Sequence, residues 1–228
     1  MIQALIFDFD GLILDTETPE FRSWQNIYRE YGFEFPSERW GSIVGGNGHS
    51  DFDAADYLSL LTQGRLDSDS LRTRNRLESD EIILAQGTLP GVSDYIHDAK
   101  RLGLKLAIAS SSDAAWIRRH GTRLGVLDYF DDIVTRDDVG IGRTKPNPDL
   151  FLLTLRRLKV PKEAAIVFED SPNGVKAANS AGIFVVAIPN GVTSLLSLEE
   201  ADLTLKSMSD LPLSQLLDKI ESKHGRAR

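Results

Sequence analysis

The chain has 228 residues, 41% of them hydrophobic, and this length predicts one large domain, or one domain with a modest insertion, around a well-formed core. Its formal charge of −8 argues against nucleic acid or an anionic membrane as a partner, because both bind basic surfaces. The absence of cysteine excludes disulfides, thiolate zinc sites and cysteine nucleophiles, and the absence of a signal peptide or a membrane-length apolar segment predicts a cytoplasmic protein.

The first predicted element is a buried strand that ends on an aspartate. Residues 4–7 read Ala-Leu-Ile-Phe without polar alternation, which is typical of a parallel strand covered on both faces. Asp8 and Asp10 follow, and they share a face because residues two apart in an extended chain point the same way. Gly11 lets the chain turn where a side chain would crowd a ligand. The pattern is typical of a strand that delivers a nucleophile.

A helical segment comes next. Large apolar side chains recur at helical spacing between Pro19 and Gly32, namely Phe21, Trp24, Ile27, Tyr28 and Tyr31. Two more helices are predicted near residues 51–61 and 68–84. Residues 16–84 are therefore expected to form a helical cap, inserted into a catalytic α/β core made of residues 1–15 and 85–228.

Helices and strands alternate after the cap. The predicted strands end near Ser110, Thr135, Phe168 and Ile188, and helices lie between them. Asp113 and Ser171 are expected as helix N-caps, Asn147 as the N-cap of a helix with Pro148 in its first turn, and Asp137-Asp138 as a solvated turn. The alternation predicts an α/β fold with a doubly wound, Rossmann-like parallel sheet and right-handed crossovers.

Polar side chains follow two of these later strands. One strand stops on residues 110–113, which read Ser-Ser-Ser-Asp, and another stops on Glu169-Asp170. In an open parallel sheet, ligands bind beyond the carboxyl ends of the strands, so these groups are expected to meet Asp8 and Asp10. Lys145, in a loop that runs into a helix, is the expected counter-charge.

These residues resemble, in chain order, the four sequence motifs of the haloacid dehalogenase superfamily: Asp8-Phe9-Asp10-Gly11, Ser110, Lys145 and Glu169-Asp170. Residues 7–17 and 168–174 are similar to the branch that contains β-phosphoglucomutase and many small-metabolite phosphatases. The resemblance covers most of the chain outside residues 16–84.

Converging carboxylates imply a cation. Each close pair would repel by roughly 4 kcal/mol at an effective dielectric near 20. The four histidines form no ligand-spaced cluster, and an all-oxygen site favours Mg²⁺. The resemblance implies that Asp8 and Asp170 bind Mg²⁺ directly, together with the backbone carbonyl of Asp10. Glu169 is either a further ligand or a group that holds a metal-bound water.

The resemblance also implies catalytic roles. Asp8 attacks phosphorus and forms an aspartyl phosphate, while Asp10 protonates the departing oxygen and later takes a proton from water. Ser110 and Lys145 bind the phosphoryl oxygens, and Ser111 and Ser112 are interpreted as loop residues near the phosphate.

The cap is expected to contact the leaving group of the substrate. Candidate substrate residues are Glu17, His49, Ser111, Arg72 and Arg76. The lack of lysine between Thr16 and Ile83 disfavours a phosphonate hydrolase, which needs a cap lysine, and Asp10 disfavours a haloalkanoate dehalogenase, which has no leaving oxygen to protonate.

Three functions stay open, in descending order. β-Phosphoglucomutases carry a histidine in the first cap helix, where this chain has Glu20, and an arginine in the cap loop, where this chain has His49. A phosphomutase is therefore the second prediction, after a phosphatase. The favoured prediction is an Mg²⁺-dependent, monomeric phosphatase for a phosphorylated small metabolite, either a sugar phosphate or a nucleotide-like monoester. A non-enzymatic receiver phosphorylated on aspartate is the remoter alternative, since receivers are roughly a hundred residues shorter and have no inserted cap.

Overall fold

A six-stranded parallel sheet forms the centre of the computed structural model, which describes residues 1–41, 44 and 52–225. The strands are β1 (Ala4–Phe7), β2 (Lys105–Ala109), β3 (Asp132–Val134), β4 (Ala165–Glu169), β5 (Phe184–Ala187) and β6 (Leu203–Thr204). Their order is β3-β2-β1-β4-β5-β6. The chain therefore winds outward in both directions from the β1/β4 pair, as in a Rossmann-like sheet, and the predicted fold class is confirmed.

Helices make up most of the remaining structure. Those in the described ranges are α1 (Glu17–Glu30), α2 (Ser37–Gly41), α3 (Ala54–Leu61), α4 (Ser68–Ala85), α5 (Val92–Arg101), α6 (Ala114–Arg123), α7 (Arg136–Val139), α8 (Asp149–Leu158), α9 (Pro172–Ala181) and α10 (Leu213–Gly225). No helix among the described residues has both the length and the apolar character needed to cross a membrane. Helices α2 and α10 and strand β6 were not predicted from the sequence.

Alternate residues of the central strands feed two separate hydrophobic cores. In β1, Leu5 and Phe7 pack on one face of the sheet and Ala4 and Ile6 on the other. Helices α5, α6 and α10 cover the first face, and α8 and α9 cover the second. Because both faces are buried, the strands are continuously apolar, and their polar residues are confined to their ends.

The helices between β1 and α5 have a hydrophobic cluster of their own. Phe21, Trp24, Ile27 and Tyr28 of α1 pack with residues of α2, α3 and α4. This cluster is the inserted α-helical cap, although its predicted limits at residues 16 and 84 stay a prediction.

Two local expectations were wrong. Asp137 and Asp138 lie in α7 rather than in a solvated turn: the Asp138 carboxylate accepts from the backbone N–H of Thr135 in a capping box and pairs with Arg157. Asn147 is not the N-cap of α8, because Pro148 occupies that position and the Asn147 amide donates to the carbonyls of Gly142 and Thr144. The N-caps at Asp113 and Ser171 are confirmed.

Candidate active site

Asp8 and Lys145 form a buried ion pair at the carboxyl end of β1. Asp8 continues the parallel ladder, since its backbone N–H donates to the Phe168 carbonyl at 3.0 Å. The Lys145 ammonium, 1% exposed, donates to Asp8 Oδ1 and lies 2.6 Å from Glu169 Oε1. Burial alone would lower the pKa of Lys145, but the Asp8 and Glu169 carboxylates outweigh it and raise that pKa above its usual value. Lys145 is therefore a fixed cation.

Three buried carboxyl groups surround this lysine. One oxygen from each of Asp8, Glu169 and Asp170 lies within 4.8 Å of the others. Burial raises the pKa of Asp8 to about 8, with Lys145 opposing the shift and Glu169 and Asp10 adding to it. Burial, with Asp8 and Glu169, likewise raises the pKa of Asp170 well above its usual value. Three carboxylates against one ammonium leave excess negative charge and oxygen ligands, which fits a divalent cation such as Mg²⁺.

Asn190 holds Asp170 in this group. Its amide donates to Asp170 Oδ2 at 2.8 Å and to the Gly11 carbonyl at 3.1 Å. Gly11 itself adopts φ +78°, and a Cβ there would lie 2.3 Å from Asp170 Oδ2. The glycine after Asp10 is thus required both by the turn and by the close approach of Asp170.

Both carboxylate oxygens of Glu169 are used within the protein. Oε1 faces Lys145, and Oε2 accepts from the Ser171 hydroxyl at 3.2 Å and from the Asp170 backbone N–H at 3.2 Å. These contacts favour a third role for Glu169, that of orienting Lys145, which differs from the two roles expected from the sequence.

Gly174 in α9 leaves the space that Glu169 occupies, and this space supports a prediction. A Cβ on Gly174 would lie 1.9 Å from the Glu169 carboxyl carbon. Gly→Ala inside a helix normally stabilises by up to about 1 kcal/mol, but here we expect Gly174→Ala to destabilise by about 1 to 3 kcal/mol through overpacking. Urea unfolding measures the change.

Gly87→Ala, in the loop after α4, is the control for a glycine change without a clash, because no atom beyond its chain neighbours lies within 4 Å of a Cβ at that position. Stability of Gly174→Ala equal to that of Gly87→Ala would contradict the packing of Glu169 against α9.

The Asp10 carboxyl group accepts hydrogen bonds from residues that do not contact the cluster of Asp8, Glu169 and Asp170 in the same way. Its Oδ2 accepts from the hydroxyl of Ser112 at 2.6 Å and from that of Ser110 at 3.4 Å, while Oδ1 accepts from the indole Nε1 of Trp116 at 2.7 Å. Asp10 is therefore held by hydrogen bonds from the loop after β2 and from the first turn of α6.

Asp8 and Asp10 open into a cavity of about 690 Å³ between the sheet edge and the cap. Ser110, Ser111 and Lys145 also line it on the side of the sheet. The cap contributes Glu17, Glu20, Trp24, Asn75, Arg76 and Asp80, among others. A small ligand in this cavity would contact both the strand ends and the cap.

The cap side of the cavity is acidic. Burial, with Asp10 and Asp80 adding to it, raises the pKa of Glu20 to about 7. Burial and the neighbouring Glu20 raise the pKa of Glu17 well above its usual value. Of the cap arginines there, Arg72 is engaged by several carboxylates, at 2.6 Å in the case of Asp56, and the Arg76 side chain is 74% exposed.

The structure brings together most of the residues predicted for the site. Asp8, Asp10, Ser110, Lys145, Glu169 and Asp170 meet at the strand ends, and Glu17, Ser111, Arg72 and Arg76 line the same cavity. His49 lies outside the described residues.

Two residues of the site, Asn190 and Trp116, were not predicted from the sequence. Ser112 was predicted only as a loop residue near the phosphate, and it also donates a hydrogen bond to Asp10. Asn190 follows β5, the fourth strand whose end reaches the site, so its position after residues 184–188 was an available signal. Trp116 carried only the weaker signal of a position in the first turn of a helix whose N-cap is near the site.

Fold and site together define a class: a capped α/β enzyme with an acidic centre at the carboxyl ends of parallel strands. The chain belongs to the haloacid dehalogenase-like hydrolases, whose family model matches residues 5–188. The predicted family is therefore confirmed.

Relatives match over most of both chains. The Bacillus subtilis protein named "Putative phosphatase YhcW" is 41% identical over 224 residues, which cover 98% of this chain and 100% of that protein. "Phosphorylated carbohydrates phosphatase" of Thermotoga maritima is 33% identical over 186 residues, covering 80% and 82%. The crystal structure of β-phosphoglucomutase from Clostridium difficile is similar with a TM-score of 0.73 and 25% identity, covering 98% and 99%. The names of these proteins include both activities that were considered from the sequence, phosphate hydrolysis and phosphomutation.

Proposed function

We propose that the chain is an Mg²⁺-dependent phosphatase that hydrolyses a sugar monophosphate through an aspartyl phosphate on Asp8. The observation that carries the proposal is the Asp8–Lys145 pair at the strand end, which shares one cavity with Asp10. A nucleophilic carboxylate, a fixed cation and a separate acid–base carboxyl are the groups that phosphoryl transfer to an enzyme side chain and on to water requires.

The residues present fit a metal ion. Asp8 and Asp170 would hold Mg²⁺, with the backbone carbonyl of Asp10 as the third protein ligand that the family resemblance implies. When bound, Mg²⁺ offsets the negative charge of the three buried carboxylates and of the transferring phosphoryl group. Glu169 is proposed to position Lys145, because both of its oxygens are engaged by the protein.

The proposed reaction consists of two displacements at phosphorus, the first by Asp8 and the second by water. Lys145 and the Ser110 hydroxyl orient the phosphoryl group for in-line attack by Asp8. Asp10 gives a proton to the departing ester oxygen, which becomes the alcohol of the product. Asp10 then takes a proton from the water that attacks phosphorus and releases inorganic phosphate, so that Asp8 is regenerated.

The cap side of the cavity supports a leaving group without a second phosphate. Glu17, Glu20 and Asp80 supply no positive charge that could bind another phosphate, and Arg72 is already paired with carboxylates of the cap. Carboxylates and the Asn75 amide suit the hydroxyl groups of a sugar. The relative named as a phosphatase of phosphorylated carbohydrates supports the same substrate class.

A phosphate-release assay over a panel of phosphometabolites with Mg²⁺ tests this proposal. We expect catalytic turnover of neutral sugar monophosphates, and at least about tenfold lower kcat/KM for sugar bisphosphates, a difference of ~1.4 kcal/mol. One phosphorylation per chain without turnover would instead indicate a receiver.

Phosphorus NMR on β-glucose 1-phosphate with catalytic bisphosphate separates hydrolysis from mutation. A mutase must hold a bisphosphate while it excludes water, which needs firm cap contacts to the distal phosphate. We expect free phosphate to accumulate faster than glucose 6-phosphate, or no reaction. Rapid formation of glucose 6-phosphate with little free phosphate would establish the mutase alternative.

A further inference from the structure

The two oxygens of the Asp10 carboxyl group are held by different kinds of donor. Oδ1 accepts from the indole nitrogen of Trp116 at 2.7 Å. Oδ2 accepts from the hydroxyl of Ser112 at 2.6 Å and more distantly from that of Ser110 at 3.4 Å. The asymmetry matters because Asp10 must carry a proton on one of these oxygens in each cycle of the proposed reaction.

Indole and hydroxyl donors respond differently to that proton. An indole N–H can only donate, whereas a hydroxyl group can turn and accept. The protonated oxygen of a carboxylic acid is a weaker acceptor than its carbonyl oxygen. The bond from Trp116 therefore favours the carbonyl form at Oδ1, and the serine hydroxyls tolerate either form at Oδ2.

Trp116 is itself firmly seated. Its ring packs against that of His120, with ring centroids 4.1 Å apart. His120 is fully buried, and burial, together with the cations Arg123 and Arg119, lowers its pKa. The partly buried indole also packs against the hydrophobic core, so its ring has contacts that do not depend on the hydrogen bond from its N–H.

We infer that Trp116 is a positioning residue that assigns the acid–base chemistry of Asp10 to Oδ2. This inference rests on the proposed function. The proton on Oδ2 passes to the ester oxygen as its bond to phosphorus breaks and the bond from Asp8 forms. In the second displacement Oδ2 takes a proton from water, as the water oxygen bonds to phosphorus and the bond to Asp8 breaks. Asp10 therefore ends each cycle protonated, as it began.

Two variants of Trp116 remove the N–H group. Trp116→Phe keeps an aromatic ring, and site-specific replacement of the indole by benzothiophene keeps the ring size as well, which guards against a folding defect in the phenylalanine variant. Each is assayed for kcat/KM with an alkyl ester, glucose 6-phosphate, and with an activated aryl ester, p-nitrophenyl phosphate. The ratio kcat/KM reports the transfer to Asp8, in which the leaving group departs.

We expect the alkyl ester to lose about 10-fold to 100-fold in kcat/KM, a part of the 10²- to 10⁴-fold typical of general acid catalysis. The aryl ester, which departs with little protonation, should lose less than about threefold. With Asp10→Asn as the starting protein, Trp116→Phe should cause no further loss on the alkyl ester, because its effect passes through the Asp10 carboxyl.

Equal losses on the two esters, or an additive loss in the Asp10→Asn protein, would overturn the assignment, because a merely structural role produces both. These outcomes leave hydrolysis by the unmodified protein intact. If the unmodified protein released no phosphate from either ester, the proposed function would fail and the role of Trp116 would fail with it.

Discussion

Asp8→Asn is expected to reduce phosphate release by at least ~10³-fold, which corresponds to about 4 kcal/mol of lost transition-state stabilisation. The amide is a poor nucleophile and a poorer metal ligand than the carboxylate, so a single change removes two functions of the residue. The measurement is steady-state phosphate release at saturating Mg²⁺ and substrate.

The fold of this variant should survive. Asp8 shares Lys145 with Glu169, and the lysine keeps its 2.6 Å contact with Glu169 when Asp8 becomes an amide. Burial opposes the charged form of Asp8, and Lys145 is not left without a partner, so the neutral amide should not lower the melting temperature of the metal-free protein. Asp98→Asn, which removes a partly buried partner of Arg101 away from the site, is the control for an aspartate-to-asparagine change and should keep full activity. Activity of Asp8→Asn within tenfold of the parent would refute the nucleophile assignment.

Removal of the metal is expected to abolish turnover, and the metal should stabilise the fold more at pH 8 than at pH 6. Chelator in excess over Mg²⁺ should stop phosphate release, and added Mg²⁺ should restore it. Thermal unfolding with and without Mg²⁺ at the two pH values measures this stabilisation. It is on the order of 2 to 3 kcal/mol where Mg²⁺ is at 100 times its dissociation constant, and the same Mg²⁺ concentration should stabilise less at pH 6, where binding is weaker.

The sign follows from the raised pKa of Asp8. In the metal-free native state this pKa is about 8, whereas an unfolded aspartate titrates near 4, so the native state binds more protons between these values and metal-free stability falls as pH rises. Mg²⁺ binds the deprotonated carboxylates and must displace those protons at pH 6 but displaces fewer at pH 8. Turnover in excess chelator, or a larger Mg²⁺-dependent shift at pH 6 than at pH 8, would remove Asp8 from the metal site.

Strands β1 to β5 and the main groups of the site were predictable from the hydrophobic pattern of the sequence. A parallel strand covered on both faces has no polar alternation, so Asp8, Ser110 and Glu169 stand out as the first polar residues after apolar segments. Because the carboxyl ends of neighbouring strands lie together, the chain order of these residues was enough to predict that they meet.

Only the tertiary structure decided how each group is held. Trp116 and Asn190 reach the site from elements far away in sequence, and their positions near a helix start and a strand end did not show which groups they would bind. In α7 the capping box between Thr135 and Asp138 is local in sequence and was overlooked, whereas the pairing of Asp138 with Arg157 of α8 required the tertiary structure. Strand ends are specified by hydrophobic pattern, which is local in sequence, whereas hydrogen-bond partners are specified by packing between distant segments.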